Sequence, residues 1–295
     1  MTDVRERPTP ELTGAPAAVR ITGHALLILA GLCLLLLTQA ALIGAVQHGR
    51  DQALAYADFR NRLANAVAPV GPLDDGGHLL APGTPVAVLS IPKLGLDEVV
   101  GEGTSAGALK SGPGHRRDTV LPGQAGTSVV MGRRAAYGGP FARLGELTGG
   151  DRITVTTGQG AYGFEVTGVR RANDPQPLAS ATGKGRLTLV TADGPAYLPA
   201  DVLRVDARLL GPAAPGGTRL PAYALPESEQ AMAGDGGALV PLVGWGVVLA
   251  LAAAGVVHTY HRFGTWHAWV IGVPLLGALG LAVADHVVSL LPNLL

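Results

Sequence analysis

The stretch RITVTTGQGAYGFEVTGVRR at residues 152–171 gives the clearest indication of the fold. Its first part (152–157) and its last part (162–171) are rich in β-branched and aromatic side chains, which favour strands. The Gly-Gln-Gly step at 158–160 predicts a hairpin turn, because glycine adopts the backbone angles of tight turns without strain. A phosphate-binding loop is the alternative interpretation, but the segment lacks the Gly-Lys-Ser/Thr ending of that motif.

The chain on both sides of this hairpin has the same character. Short β-rich segments separated by glycine or proline predict further strands at 86–91, 97–100, 127–131, 186–192 and 202–210. Short helices are expected at 105–110 and 140–147. The whole block, residues 84–211, spans roughly 125 residues, which suffices for one hydrophobic core. The pattern predicts a mainly β domain, either a barrel or a sandwich.

Three apolar segments flank this block. The first, residues 23–48, contains no Asp, Glu, Lys or Arg, and at about 1.5 Å per residue it is long enough to cross a bilayer. A cleavable signal peptide is the alternative, but the apolar run continues past the small residues at 38–40. Residues 238–257 and 268–291 predict two more transmembrane helices. These segments account for a mean hydropathy of +0.31, which is high for a soluble domain.

Basic residues near the apolar segments indicate the topology. Arg5, Arg7 and Arg20 precede the first span, and Arg262 lies between the second and the third. The positive-inside rule therefore places the N-terminus and the loop at 258–267 in the cytoplasm and the β block outside a plasma membrane.

The resulting order of segments is that of a multi-pass membrane protein. A juxtamembrane helix is expected over 50–68, ended by Pro69 and Pro72. We expect a cytoplasmic tail at 1–22, a transmembrane helix at 23–48, a helix and linker at 49–83, the β domain at 84–211, a Pro/Gly-rich linker at 212–237, a transmembrane helix at 238–257, a cytoplasmic loop at 258–267 and a transmembrane helix at 268–291.

Two ionisable residues, Asp285 and His286, fall late in the third span. Ionisable residues inside a membrane often mark functional sites. The alternative is that both lie near the outer interface, about one helical turn from the end of the span.

The overall composition excludes several classes of function. The 22 Lys and Arg residues balance 22 Asp and Glu residues, whereas nucleic-acid-binding domains carry a basic excess. The single cysteine, Cys33, excludes an intramolecular disulfide and any multi-cysteine metal cluster. His258, His261 and His267 have no carboxylate or cysteine nearby, which favours an interfacial loop over a metal site. We expect no cofactor.

A series of short motifs in the β block resembles the sortases, the membrane-anchored transpeptidases of Gram-positive bacteria. The order and the residues of these motifs are most similar to those of the actinobacterial class E members. The motifs are IPKLGL at 91–96, EGT at 102–104, LKSGPGH at 109–115, PGQAG at 122–126, VVMGRR at 129–134, YGGPF at 137–141, LGELTGGD at 144–151, LTLVTA at 187–192 and VDARL at 205–209. This resemblance implies a β-barrel with short helices.

The resemblance also implies a reaction that this chain is not equipped to perform. In sortases a Cys thiolate attacks the sorting-signal carbonyl, a His acts as acid and base, and an Arg stabilises charge. The Cys position falls on Ala192, the His position on Arg133 and the Arg position on Val202. An Arg does not act as a base, because its pKa exceeds about 12. The resemblance therefore implies a catalytically inactive homologue.

Arginines of the former active site suggest a remaining role. Arg133, Arg134 and Arg204 would make the groove cationic, so that it could hold an extended peptide or an acidic group without cleaving it. The alternative is that Arg133 and Arg134 are surface residues or pair with Asp118 or Asp193.

Two further residues are candidates for an altered mechanism. His115 belongs to a motif that family members carry beside the catalytic His, although a structural loop histidine is the alternative. Thr191 could supply a hydroxyl nucleophile, but no base occupies an adjacent motif position.

Three functions remain open at this stage. The first is a silent sortase homologue that binds a peptide or scaffolds a cell-envelope protein at the membrane. The second is a transpeptidase or hydrolase with a non-cysteine nucleophile. The third is a membrane partner subunit of a cell-envelope complex.

Overall fold

Eight strands close into a barrel in a computed structural model that describes residues 17–74, 76–177, 183–217 and 219–295. The order around the barrel is β1-β2-β3-β4-β7-β8-β6-β5. The strands are β1 (Pro85–Ile91), β2 (Leu96–Glu102), β3 (Gly114–His115), β4 (Gly126–Met131), β5 (Arg152–Thr157), β6 (Gly160–Arg170), β7 (Gly185–Asp193) and β8 (Asp201–Leu210). The predicted β-barrel is therefore confirmed.

Alternation along the strands explains how the barrel is filled. In β5, Ile153 and Val155 are buried while Arg152 and Thr154 are exposed. Consecutive side chains of a strand point to opposite faces, so one face of each strand lines the interior. The interior residues form one hydrophobic core that includes Leu89, Val130, Ile153, Val155, Phe164, Leu187, Leu189 and Val205.

The hairpin predicted at 152–171 is confirmed. β5 and β6 pair in an antiparallel arrangement that closes with Thr157 opposite Gly160. Gly160 has a φ of +130°, a backbone conformation that favours glycine.

Most neighbouring strands are antiparallel, but β4 and β7 are parallel, beginning with Gly126 opposite Gly185. A parallel pair needs a long crossover connection, and here residues 132–184 provide it. β7 then pairs antiparallel with β8, with Ala192 opposite Val202. Consequently β4, β7 and β8 present one continuous outer face.

The helices are α1 (Ala17–Thr38), α2 (Gly44–Ala64), α3 (Leu239–Phe263) and α4 (Thr265–Leu290). A π-helical turn at Gln39–Ile43 joins α1 to α2 without a break. Within the described ranges, three helical segments are long and apolar enough to cross a membrane: Leu26–Ala64, Gly236–Arg262 and Trp266–Leu290. The predicted arrangement of one N-terminal and two C-terminal apolar helices is confirmed.

Helix α2 packs against the barrel. The Phe59 side chain is buried in this contact, with 1% exposure. The Gln52 amide donates to the carbonyls of Val99 at 3.1 Å and Ser111 at 2.7 Å, and it accepts from the N–H of Val99 at 2.7 Å. The helix and the barrel therefore form one packed unit.

Local elements differ from the sequence-based predictions in three places. The helices predicted at 105–110 and 140–147 are single 3₁₀ turns at Ala108–Lys110 and Leu144–Glu146. Glycine and proline in these segments disfavour a longer helix. Strand β3 was not predicted, because two residues show no alternation.

The N-terminal segments also bear on the predictions. Helix α2 ends at Ala64 rather than at residue 68. Two residues beyond this end, Ala66 adopts a positive φ of 55°. Arg5 and Arg7, on which the predicted topology partly rests, lie outside the described residues.

Candidate binding groove and degenerate active site

The three positions that match the sortase catalytic residues lie at one end of the β4–β7–β8 face. Ala192 lies near the end of β7, directly opposite Val202 on β8. Arg133 follows β4 by two residues, and the preceding N–H of Gly132 donates to the carbonyl of Val190 on β7 at 3.0 Å. The fold therefore brings the three positions together, as the motifs predict.

A segment after α4 returns to this end of the face. The carbonyls of Leu294 and Leu295 accept hydrogen bonds from the backbone N–H groups of Arg134 at 2.9 Å and Ala136 at 3.2 Å. Residues 291–295 thus run beside the connection that follows β4. The sequence does not predict this contact, because a short Leu-Pro-Asn-Leu-Leu segment after an apolar helix carries no distinctive pattern.

Leu294 covers the end of the face that carries Ala192 and Val202. Its side chain is 0% exposed and belongs to one hydrophobic cluster with Ala192 and Val202. The neighbouring Asn293 is equally buried, and its amide donates to the carbonyl of Thr104 at 2.8 Å. The positions that would hold the nucleophile and the arginine are therefore covered by apolar packing.

Arg133 lies inside the protein. Its side chain is 0% exposed, and it donates from Nε to the carbonyl of Leu109 at 3.2 Å and from Nη2 to the carbonyl of Ala106 at 2.7 Å. The guanidinium lies 5.2 Å from the centroid of the Tyr137 ring, a cation–π geometry. Burial lowers the pKa of Arg133 to about 10. Arg133 is thus neither part of an open groove nor a surface residue, in contrast to both expectations, and it holds the 106–109 turn against the end of β4.

Arg134 is half-buried and points along β7. Its Nη1 donates to the carbonyl of Ala192 at 3.0 Å and lies 4.0 Å from Oδ1 of Asp193. Arg134 therefore pairs with Asp193, one of the two acidic partners that the sequence analysis names as the alternative to a cationic groove.

Thr191 points away from the outer face. Its side chain is buried, and the hydroxyl donates to the carbonyl of Gly132 at 2.9 Å. The hydroxyl therefore supports the junction between β4 and β7.

His115 is a buried structural residue with both ring nitrogens engaged. Nδ1 lies 2.9 Å from Oε2 of Glu102, and Nε2 lies 2.9 Å from the carbonyl of Val120. Burial alone would lower the pKa of His115, but the attraction and hydrogen bond of the Glu102 carboxylate, together with the hydrogen bond to the Val120 carbonyl and the attraction of Asp118, raise the pKa above its ordinary value. The structure thus places His115 in a local network, as the structural alternative proposed.

This network predicts a pH dependence of stability. Because the pKa of His115 is higher in the folded chain than in the unfolded chain, the pair stabilises the fold most at pH below about 6.5. We expect the thermal midpoint, followed by circular dichroism of the full chain in detergent, to fall as pH rises through the folded pKa. His115→Gln should remove this part of the slope, whereas His78→Gln, at an exposed linker histidine, should retain it. Identical slopes in the two variants would contradict the assignment.

Beyond the closed end, the β4–β7–β8 face carries an open groove of about 410 Å³. Arg204 lines it, as the alternation along β8 predicts. The other lining side chains are Arg116, Thr127, Val129, Met131, Arg170, Gln176, Pro177, Arg186, Thr188, Val190, Asp206 and Ala231.

Comparisons with known proteins agree with this architecture. Residues 89–208 match the family described as Sortase domain. The barrel has the sortase fold. Sortase D of Bacillus subtilis (strain 168) is 34% identical over 79 residues, which are 27% of this chain and 38% of that protein. The chain thus matches well under half the length of this curated relative.

Solved sortase structures are also similar to the sortase-fold barrel. The Clostridium perfringens Sortase D5 transpeptidase is 21% identical, with a TM-score of 0.46 over 55% of this chain and 99% of that one. Sortase E1 from Streptomyces coelicolor with a tripeptide in its active site is 26% identical, with a TM-score of 0.39 over 50% and 98%.

The sortase-fold barrel is attached to α4 by an ion pair that the sequence analysis missed. Nζ of Lys110 lies 2.6 Å from Oδ2 of Asp285 and also donates to the Asp285 carbonyl at 3.0 Å. The Tyr137 hydroxyl donates to the other carboxylate oxygen, which also accepts from the Gln39 amide at 3.1 Å. Asp285 therefore joins two helices to the barrel, which gives this residue near the end of α4 a docking role.

These contacts perturb the titration of the barrel residues involved. Burial lowers the pKa of Lys110, although the Asp285 carboxylate opposes the effect. Burial and the hydrogen bond to Asp285 raise the pKa of Tyr137. Tyr137 therefore acts as a neutral donor at physiological pH.

The π-helical turn between α1 and α2 contributes to the same junction. A π turn widens the helix locally, and here the carbonyl of Ala40 accepts a hydrogen bond from the N–H of Tyr137 at 3.0 Å. Tyr137 has a φ of +53°, which costs about 1–2 kcal/mol for a non-glycine residue. A Cβ at Gly44 would lie 2.9 Å from the Tyr137 ring, so glycine permits the close approach.

Side chains that could ligate a metal ion do not cluster among the described residues. In the ranges that the structure describes, no group of three or more His, Cys, Asp or Glu residues is arranged to hold a metal ion.

Proposed function

We propose that this protein is a non-catalytic sortase-fold module, held at the outer face of the plasma membrane, that binds a peptide segment and thereby scaffolds a cell-envelope partner. The observation that carries the proposal is the closed degenerate site. Ala192 and Val202 lie buried with Leu294 where the sortase resemblance calls for a nucleophile and an arginine.

The chemistry of acyl transfer supports this proposal. A sortase-type reaction needs a thiolate and a proton-transfer group within hydrogen-bond reach of it. The chain has one cysteine, Cys33, which lies in α1. Arg133 donates to two backbone carbonyls, and its side chain has no accessible surface. Loss of several members of one catalytic unit removes its chemistry as a whole.

The proposal includes a topology and a subfamily. The positive-inside pattern supports a cytoplasmic N-terminus, a barrel at 84–211 outside the cell and a cytoplasmic loop at 258–267. Arg262, on which the cytoplasmic assignment of 258–267 rests, lies in the last turn of α3, and Gly264 alone separates α3 from α4, so this connection is a short turn between two helices rather than a ten-residue loop. The motif series supports an actinobacterial class E-like origin.

An assay with sorting-signal peptides tests the lack of activity. We expect the full chain in detergent to release no fluorescence from quenched sorting-signal peptides and to form no covalent peptide adduct detectable by mass spectrometry. A cysteine-containing sortase provides the positive control. Turnover that disappears in Thr191→Val, while persisting in the exposed control Thr154→Val, would show a relocated nucleophile and would contradict the proposal.

A further inference from the structure

The open groove on the β4–β7–β8 face carries four arginines and one acidic residue. Two of the arginines have acidic partners. Nε of Arg116 lies 2.7 Å from Oδ1 of Asp118, and Nη2 of Arg170 donates to Oδ1 of Asp206 at 3.2 Å. The hydroxyl of Thr188 also donates to Asp206, at 2.8 Å. The acid in the groove is therefore already occupied.

Arg186 and Arg204 differ from this pair. Among the described residues, neither forms an ion pair with a carboxylate. Within the part of the chain that the structure describes, these two positive charges thus line the groove without a carboxylate partner.

The strand register places these arginines opposite other arginines. Arg186 is the direct partner of Arg208 across β7 and β8, and Arg204 is the direct partner of Arg170 across β8 and β6. The second arginine of each pair already has a carboxylate partner: Nη2 of Arg208 donates to Oε1 of Glu165 at 2.6 Å, and Arg170 pairs with Asp206. Arg186 and Arg204 are therefore the members of the two pairs whose charge stays available to an acidic ligand.

The closed end of the same face shows which kind of ligand the surface accommodates. Met131 and Val190 line the open groove and also belong to the cluster that buries Leu294. Beside them, backbone N–H groups already hold the carbonyls of a peptide segment, at Leu294 and Leu295. A peptide segment of this chain therefore already covers one end of the face, and the open part presents Val129 and the arginine side chains.

We propose that the open groove binds an extended acidic peptide segment, with Arg186 and Arg204 engaging its carboxylates and the partly exposed Val129 contacting its aliphatic groups. This inference rests on the proposed binding function and names its ligand class. Arg133 and Arg134 take no part, because the first is buried and the second is bonded to β7.

Fluorescence anisotropy tests this inference. The probe is a fluorescein-labelled ten-residue peptide of alternating Glu and Ala, added to the full chain in detergent, and the control probe has Gln in place of Glu. Arg186→Gln/Arg204→Gln should weaken binding of the acidic probe about tenfold or more, because a charged hydrogen bond to the probe is lost at each of the two positions. Added salt should also weaken it.

A matched variant controls for net charge. Arg62→Gln/Arg143→Gln removes the same two charges at positions outside the groove, where the partners are Asp58 and Glu146, and it should bind the acidic probe as wild type does. The groove variant should keep the wild-type thermal midpoint, because the two side chains it changes lack acidic partners.

Three results would overturn the inference. If the Glu and Gln probes bind with equal affinity, the groove has no preference for acidic peptides, although the protein still binds peptide. Equal affinity of the groove variant and wild type would remove the assignment to Arg186 and Arg204. Binding of polyphosphate without binding of the acidic probe would replace the peptide with a phosphate polymer. Cleavage of a bound probe would instead refute the non-catalytic function, so the two proposals fail in different ways.

Discussion

Asp285→Ala should destabilise the full chain by about 3 kcal/mol, the lower end of the range for removing one partner of a buried ion pair. The substitution leaves the Lys110 ammonium, 18% exposed, without its carboxylate and the Tyr137 hydroxyl without its acceptor. We expect the lower end of this range because the Asp285 side chain is 30% exposed in the fold. The thermal midpoint of the full chain in detergent measures the loss.

A double substitution distinguishes a lost ion pair from general damage to α4. Lys110→Met/Asp285→Leu replaces both charges by apolar groups of similar size, which is often neutral for a buried pair. We expect it to recover most of the stability lost in Asp285→Ala. Val270→Ala, at an exposed position of the same helix, should have little effect in detergent. A double variant as unstable as Asp285→Ala would contradict the docking role of the pair.

Leu294→Ala should lower the free energy of unfolding by about 2–5 kcal/mol, the usual range for truncating a fully buried leucine. It should also expose the degenerate site, because Leu294 packs in one cluster with Ala192 and Val202. A reporter cysteine at position 192, in a Cys33→Ser background, should react slowly with a thiol reagent when Leu294 is present. The reaction should become several times faster with Leu294→Ala.

Mass spectrometry of the labelled protein follows this reaction. A second reporter, Ala161→Cys on the exposed start of β6, should react at the same rate with and without Leu294→Ala. If the cysteine at 192 reacts as fast as the one at 161 while Leu294 is intact, residues 291–295 do not close the site.

The sequence predicts the barrel because alternation is a local property. The hairpin at 152–171 and the strand from 202 to 210 each show their two faces within a few residues, and the apolar helices are equally evident. The groove position of Arg204 follows from the same alternation. The absence of a cysteine from the barrel is a matter of counting and needs no structure.

The sequence does not predict contacts between distant segments. Lys110 and Asp285 are 175 residues apart, and Gln39 and Asp285 are 246 apart. Nothing in either local pattern identifies the other partner. Arg133 shows the same limit, because an arginine that follows a strand resembles a surface residue, whereas here the 106–109 turn accepts its hydrogen bonds and covers it.

The unbroken helix from α1 through α2 fixes the groove in space. A domain on a flexible tether samples a volume set by its linker, and a partner must meet it in a suitable orientation. Here the helix leaves the apolar segment and packs directly on the barrel through Gln52 and Phe59. The position and orientation of the groove relative to the apolar helix are therefore set during folding, so a partner held in a fixed orientation relative to this helix loses less orientational entropy on binding.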